Sequence, residues 1–269
     1  MPMEIVRQLP YNHPYRWDGT LFGGPRLWRP NELTGSLSLW LDAEDTASIT
    51  LNGATVSQWS DKSGNGRNAV QATAANQPTY NVTGINSKPA LTFDGINDLL
   101  KTTLSVGISG ANPRTLLYVY FDPGTSRGPM IQMGSSNSMQ AFGRDISAGG
   151  LLYHWSIDLP MAPPSAGTSN IEVLQSTGAV STGFLNGTQT AQGNFALNTT
   201  NNPISIGGRN SPEFSFAVYA AVNFGEIILT ASVLSTDVRQ RLEGYLAWKW
   251  GLEANLPSGH PYKLLPPTV

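Results

Sequence analysis

The chain has 269 residues, 13% of them charged, and a formal net charge of −2. This length can bury a large core, so the fold needs neither a disulfide nor a metal, and the absence of cysteine excludes thiol chemistry. The near-neutral charge gives no electrostatic basis for binding nucleic acid or an anionic membrane.

The first segment, residues 1–29, is rich in proline and aromatic residues and has no period of two or 3.6. It is too aromatic for a plain disordered tail. We therefore predict an extended arm over 1–29 that becomes ordered by docking on its own domain or on a neighbour. The candidate docking side chains are Tyr11, Tyr15, Arg16, Trp17 and Phe22.

From residue 30 to 269 the pattern is strand, turn, strand. Leu37, Leu39 and Leu41 alternate as in a half-buried strand, and the run 115–121 (TLLYVYF) is typical of a central strand. Asn186-Gly187 is a hairpin signal. Short strands spaced over some two hundred residues predict one sandwich or jelly-roll domain.

One segment has helical spacing instead. Ser235 is a candidate N-cap, Asp237 lies in the first turn, and Gly251 is a candidate stop. These signals predict a helix over 235–252 that covers an open end or a face of the sandwich. The Pro-rich tail that follows is expected to be extended.

Six motifs occur in fixed order between residues 28 and 267: LWLDAED, VSQWSDKSGNGRNA, KPALTFDGINDLL, GFLNGT, ISIGGRN and FGEIILTASVLSTDVRQRLEGYLAWKWGL. The series resembles the concanavalin A-like (laminin-G-like) jelly roll, in the bacterial and phage version that closes with an EGYLA-KWGL helix and an LP-GHPY tail. The resemblance implies an all-β jelly-roll β-sandwich with one C-terminal α-helix, to which the composition of residues 1–29 adds the extended N-terminal arm. Because this fold hosts lectins, hydrolases and structural modules, it says less about function.

Catalytic signals are weak. Relatives of this fold hydrolyse glycosides with closely placed carboxylates on one strand, but their E-x-D-x-x-E pattern does not occur here. Asp42, Glu44 and Asp45 lie where a strand runs into a turn, which indicates a solvated turn. The three histidines, His13, His154 and His260, are scattered along the sequence. We therefore expect no enzyme, no catalytic residues and no cofactor.

Two kinds of binding site stay open. Laminin-G-like domains often bind calcium, and the Asp/Asn turns offer Asp61 and Asp98 as candidate ligands, although such turns usually satisfy their own backbone. Tyr153 and Trp155 lie on one side of a predicted strand and are candidate glycan contacts. Packing in the core is the alternative for both aromatic residues.

The leading hypothesis is a non-enzymatic phage virion structural protein, a capsid decoration protein docked by its arm. Its expected partners are the major capsid protein or another virion protein, further copies of itself, and surface glycans, with no nucleic acid and no membrane. Since the N-terminus lacks an apolar signal region, we expect synthesis in the host cytoplasm and location on the virion surface. The alternatives are a glycan-binding adhesin or tail-associated receptor-binding module and, third, a glycoside hydrolase or lyase.

Overall fold

The computed structural model describes residues 26–33, 35–125, 128–135, 137–146, 151–153, 158–161, 163–209 and 218–269, with the backbone alone at Pro129, Leu151 and Tyr153. The strands in these residues are β1 (Leu37–Asp42), β2 (Ile49–Asn52), β3 (Thr55–Trp59), β4 (Ala69–Val70), β5 (Thr79–Ile85), β6 (Lys88–Asp94), β7 (Leu100–Thr102), β8 (Arg114–Asp122), β9 (Pro129–Gly134), β10 (Ala141–Asp145), β11 (Leu151–Tyr153), β12 (Leu159–Pro160), β13 (Thr168–Ser176), β14 (Val180–Leu185), β15 (Thr188–Asn194), β16 (Ser205–Ile206), β17 (Gly208–Arg209), β18 (Val218–Tyr219) and β19 (Ala221–Thr230). The α-helix is α1 (Thr236–Trp250), and short 3-10 turns occupy Pro30–Glu32, Thr46–Ser48, Ala74–Asn76 and Glu253–Asn255.

The first layer has the hydrogen-bonded order β5–β6–β19–β8–β13–β14–β15, with every neighbour antiparallel. Strand β1 pairs with β19 beyond the end of β6, which places Asp42 opposite Glu226. A bulge at Gly225 lies between these two stretches of β19. It sits directly before Glu226, whose side chain is central to the site described below.

The second layer has the order β2–β3–β4–β7–β16–β9–β10–β11–β12. A single pairing, Thr55 with Thr79, joins β3 to β5, so the two layers belong to one curled sheet. Strands β17 and β18 form a separate hairpin. Layers that face each other in this way form a β-sandwich.

The main core fills the space between the layers. In β8 the side chains of Leu116, Tyr118 and Tyr120 pack in this inner core, together with Trp59 and Phe142 of the second layer. This alternation follows from the period of two in a strand. The side chains in between point away from the second layer and form another core.

That outer core lies between the first layer and α1. Leu117 and Val119 of β8 pack there with Leu242 and Leu246 of the helix. Trp40 of β1 is also on this side. The sequence left open whether the helix covers an end or a face of the sandwich. The structure shows that it covers a face.

The ends of α1 match the predicted signals. The Ser235 hydroxyl accepts a hydrogen bond from the backbone N–H of Val238, and Asp237 lies in the first turn. Gly251 ends the helix at φ +67°, and its N–H donates to the carbonyl of Ala247. The predicted helix is thus confirmed, with its outermost residues serving as caps.

The two ends of the described chain lie side by side. Trp28 N donates to Pro267 O (3.1 Å), and Val269 N donates to Arg26 O (2.8 Å). The predicted docking residues Tyr11, Tyr15, Arg16, Trp17 and Phe22 are outside the described residues. Their docking role stays a prediction.

The described residues confirm the predicted all-β sandwich with a C-terminal helix. The hairpin signal at 186–187 is also confirmed, because Asn186 (φ +50°) and Gly187 (φ +81°) connect β14 to β15. The prediction of an extended tail after the helix is wrong, because the chain there forms the 3-10 turn Glu253–Asn255 and two further turns, closed by His260 N to Pro257 O (2.9 Å) and Lys263 N to His260 O (3.1 Å).

Candidate functional site

A buried carboxylate lies beneath the helix. Glu226 is completely buried, and its two oxygens accept hydrogen bonds from Trp40 Nε1 (2.7 Å), Tyr245 Oη (2.9 Å), Lys249 Nζ (2.7 Å) and Trp250 Nε1 (2.9 Å). Burial raises the pKa of Glu226, although the Lys249 ammonium opposes the rise. Every donor comes from β1 or α1, so this carboxylate fastens the helix to the sheet.

Asp42 extends the same network toward the surface. It is 4% exposed and pairs with Lys249 Nζ (2.7 Å) and Lys62 Nζ (2.9 Å). Burial would raise the pKa of Asp42, but the two ammonium groups outweigh burial and lower it. The interpretation of this stretch as a solvated turn is therefore wrong for Asp42, because the helix supplies a lysine that allows the carboxylate to be buried.

The other two acids of this turn are also paired. Asp45 lies 2.7 Å from Lys62, and Glu44 pairs with Lys88. Glycosidase chemistry needs one carboxylic acid and one carboxylate facing a sugar. Here the acids face lysines of the protein itself, and Glu226 has no exposed surface for a sugar to reach.

The middle of α1 contacts the C-terminal tail. Glu243 is buried and contacts both Arg239 and Nε2 of His260 (3.1 Å), while Nδ1 of His260 accepts from Tyr262 N (3.3 Å). A Cβ on Gly244 would lie 2.5 Å from Cβ of Tyr262. The EGY and GHPY motifs are therefore two sides of one packing contact. No signal in the sequence indicates this pairing, because Glu243 and His260 lie on either side of the turn that ends α1.

A third polar cluster is enclosed in the inner core. Glu172 of β13 accepts from Arg144 Nε (2.8 Å) and from the hydroxyl of Tyr118. Burial raises the pKa of Glu172 and that of Tyr118. The neighbouring Tyr120 hydroxyl has no partner among the described residues. Since all four residues are fully buried, this cluster has no surface for a substrate.

The predicted calcium ligands lie in separate turns. Asp61 accepts from the backbone amides of Trp40 (3.0 Å), Ser63 (2.9 Å) and Arg67 (3.0 Å). Asp98 accepts from the Asp94 amide (3.0 Å), and burial raises the pKa of Asp98 to about 6. Among the described residues no group of three or more His, Cys, Asp or Glu could hold a metal. Calcium binding by Asp61 or Asp98 stays a prediction.

The side chains of the two predicted glycan contacts lie outside the described part of the structure. Tyr153 is in β11, where its backbone alone is described, and Trp155 is outside the described residues. A glycan role for this pair stays a prediction.

A polar cleft of about 360 Å³ opens beside the start of β1. Its lining residues come from the 3-10 turn 30–32, from the connection that follows it, from the first residue of β1 and from the loop after β3: Asn31, Leu33, Gly35, Leu37, Lys62, Ser63 and Asn65. Amide, hydroxyl and ammonium groups thus lie next to two aliphatic side chains. This composition suits a small polar ligand with both hydroxyl and C–H surface.

Hydrogen bonds hold the loop side of the cleft in place. Asn65 Nδ2 donates to the carbonyls of Leu37 (3.0 Å) and Ser38 (3.2 Å), and the Asp61 carboxylate accepts from Ser63 Oγ (2.8 Å). Lys62 is fixed by Asp42 and by the ring of Trp40, 4.5 Å from its ammonium. The sequence indicated only a turn here, because nothing in SGNGRN signals that the segment 30–37 packs beside it.

Comparison with known protein families finds no matching family model, and no curated protein matches the sequence. Solved structures do resemble this fold. A Trypanosoma rangeli sialidase in complex with sialic acid superposes with a TM-score of 0.57 at 15% identity, over 84% of this chain and 34% of that chain. Domain 4 of AbnA, a GH43 extracellular arabinanase from Geobacillus stearothermophilus in complex with arabinotriose, gives 0.53 at 11%, over 75% of this chain and 95% of that chain.

The binding domain of Paraclostridial Mosquitocidal Protein 1 is also similar, with a TM-score of 0.55 at 10% identity, over 80% of this chain and 53% of that chain. This chain spans about a third of the length of the sialidase chains it matches. At these identities the likeness shows the β-sandwich fold alone. Among the described residues, no helix has the length and hydropathy needed to cross a bilayer.

Proposed function

We propose that this protein is a non-catalytic glycan-binding β-sandwich. The observation that carries the proposal is the open cleft beside β1, where hydrogen-bonding side chains of Asn31, Ser63 and Asn65 lie next to Leu33 and Leu37. Sugars present alternating hydroxyl and C–H surface, which such a lining matches. The arabinotriose-bound domain, most of whose length this chain matches, supports the proposal.

The absence of catalysis is part of the proposal. Hydrolysis of a glycosidic bond needs carboxyl groups that reach the sugar. The described acids around the cleft are already engaged within the protein: Asp42 and Asp45 pair with Lys62, and Glu32 pairs with Arg26. Asp61 accepts from the Ser63 hydroxyl and from three backbone amides. We expect no release of reducing ends from β-glucan, arabinan or xylan. Turnover that disappears in Glu44→Gln or Glu226→Gln would contradict this.

A glycan array probed with the whole chain tests binding, with and without calcium. We expect retention on a defined subset of glycans. If calcium is needed for retention, Asp61→Asn and Asp98→Asn identify which turn supplies the ligands. No retention in either condition would contradict the proposal.

A blocking substitution tests the location. Asn31 is exposed at the rim of the cleft, so Asn31→Trp should fill the cleft and leave the fold intact. Asn194→Trp is a matched control at the far edge of the first layer, in β15. We expect at least a tenfold loss of affinity for Asn31→Trp and none for Asn194→Trp. A loss of affinity in Asn194→Trp but not in Asn31→Trp would contradict binding in the cleft. A loss of affinity in Tyr153→Ala alone would place the site at the predicted glycan contacts Tyr153 and Trp155.

Within this function we propose that the protein serves as a capsid decoration protein of a phage particle, docked by its N-terminal arm, residues 1–29. The support is the resemblance of the ordered motifs and the aromatic content of that segment. The described chain begins at Arg26, which the C-terminal residue Val269 holds in place. Deleting residues 1–25 should abolish attachment to particles and leave glycan binding unchanged. Attachment by the truncated chain would contradict the docking role.

A further inference from the structure

We infer that the cleft beside β1 selects uncharged saccharides over saccharides that carry a carboxylate. The inference rests on the proposed function and names its ligand class. Lys62 is the single charged residue among the described residues that line the cleft. The other polar side chains of the lining, those of Asn31, Ser63 and Asn65, are uncharged.

The charge of Lys62 is already balanced. Its Nζ lies 2.9 Å from Asp42 Oδ2 and 2.7 Å from Asp45 Oδ2, and the Trp40 ring lies 4.5 Å from it. An ammonium group has three N–H donors, and two of them face carboxylates here. A ligand carboxylate would be the third negative group around one ammonium. Repulsion from Asp42 and Asp45 would then oppose its attraction to Lys62.

Lys249 does not change this balance, because it lies beneath the helix between Asp42 and Glu226. The nearest cation on the loop side is Arg67, which is outside the lining of the cleft. Its guanidinium donates to the carbonyls of Ser38 (2.6 Å) and Ser105 (3.0 Å). On the opposite side Arg26 pairs with Glu32. Apart from Lys62, none of the described residues that line the cleft is a cation that could receive an acidic sugar.

Asp45 offers a way to reverse the selectivity. It is the more exposed of the two partners of Lys62, and its Oδ1 also accepts from Ala47 N (3.2 Å) as the cap of the turn 46–48. Asp45→Asn keeps an oxygen for this cap and removes one negative charge. The ammonium would then be only partly neutralised. Glu253→Gln is a control that removes one negative charge beyond the end of α1.

The test measures binding of two pairs of saccharides, each with a neutral and an acidic member: lactose with 3′-sialyllactose, and xylotriose with its glucuronic acid-substituted form. Arabinotriose is an additional neutral probe. For the unaltered chain we expect the neutral member of each pair to bind at least tenfold more tightly, with an affinity that does not change between low and high salt. In Asp45→Asn the affinity for the acidic members should rise about fivefold at low salt, in the range of an exposed ion pair, and Glu253→Gln should behave like the unaltered chain.

Preference of the unaltered chain for the acidic members would overturn this inference and leave glycan binding standing. An unchanged preference in Asp45→Asn would overturn the role assigned to the Lys62 pairs. Failure of every neutral and acidic probe to bind would overturn the proposed function and the inference with it.

Discussion

Lys249 of α1 and Glu226 of β19 form a buried ion pair of 2.7 Å. The pair joins α1 to the middle of the first layer, and Asp42 accepts a second bond from the same ammonium. Lys249, on the helix, belongs to the EGYLAWKWGL motif. On the sheet, Asp42 belongs to LWLDAED and Glu226 belongs to FGEIILT. Motifs far apart in the sequence thus form one buried network.

Removing the charge of Glu226 should destabilise the fold. Glu226→Gln leaves the buried Lys249 with one carboxylate and places an amide among four donors, so we expect the free energy of unfolding to fall by about 3 kcal/mol. Chemical denaturation measures this. Glu44→Gln, at a partly exposed pair with Lys88, is the control and should cost less than about 1 kcal/mol. Equal losses in the two variants would contradict the network described for α1.

Gly244 is predicted to be intolerant of a methyl group. Alanine in a helix interior normally stabilises by about 0.5–1 kcal/mol relative to glycine. Here the added Cβ would lie 2.5 Å from Tyr262 Cβ, so we expect Gly244→Ala to cost about 1–3 kcal/mol instead. Gly259→Ala is the control, because nothing lies within 4 Å of its added Cβ. Thermal unfolding of both variants measures the difference in stability. If Gly244→Ala is more stable than the unaltered chain, the tail does not pack against Gly244.

The pair of Arg144 and Glu172 should behave as a buried ion pair. Removing one partner leaves an uncompensated charge in the inner core, so Arg144→Met and Glu172→Leu should each cost about 3–5 kcal/mol. The double variant should lose clearly less than the sum of the two, because no charge remains buried. A double-mutant cycle in urea measures the coupling free energy. Additive losses would mean that the two groups do not interact.

Asp98 should make stability depend on pH. Burial, with a smaller contribution from the charge of Asp94, raises its pKa from 3.8 to about 6, so the folded chain holds this proton more tightly than the unfolded chain. The stability this gives is fully present below about pH 4 and is lost as the pH rises to about 6, by at most about 3 kcal/mol.

Asp98→Asn should remove that slope, and urea titrations at several pH values across this range measure it. The variant keeps an oxygen to accept from Asp94 N. Parallel stability profiles for the two proteins would contradict the assignment. If calcium binds at Asp98, added calcium at pH 7 should stabilise the unaltered chain and leave Asp98→Asn unchanged.

The sequence predicted the parts of the fold that depend on local signals. The Asn186-Gly187 turn and the Ser235 cap each act over a few residues, and both are confirmed. A strand does form at Leu37–Asp42, but the prediction of a half-buried strand is wrong, because the helix covers its outer face and Trp40 is buried there. Leu39 and Leu41 lie in the inner core, whereas a register shift before Leu39 leaves Leu37 against the outer core.

The ion network was missed because Asp42, Glu226 and Lys249 meet only after β1, β19 and α1 have paired. Asp42 next to a turn resembles a solvated acid until the lysine that buries it is placed.

The cleft was missed for the same reason. Asn31 and Asn65 are ordinary turn residues in the sequence, and the side chains come together only when the loop after β3 packs beside the start of β1. Hydroxyl and amide residues are common in turns, so their presence alone does not separate a ligand site from a loop. A pattern of aromatic residues, as at Tyr153 and Trp155, is easier to notice in a sequence.

Mapping amide chemical shifts of the isotope-labelled chain during titration with an oligosaccharide retained on the array tests the central claim most directly. Binding in the cleft predicts that the largest changes occur at Asn31, Leu33, Ser63 and Asn65, that they saturate, and that the saccharide stays intact throughout the titration. Saturating changes elsewhere with these amides unmoved, or cleavage of the saccharide, would contradict the account.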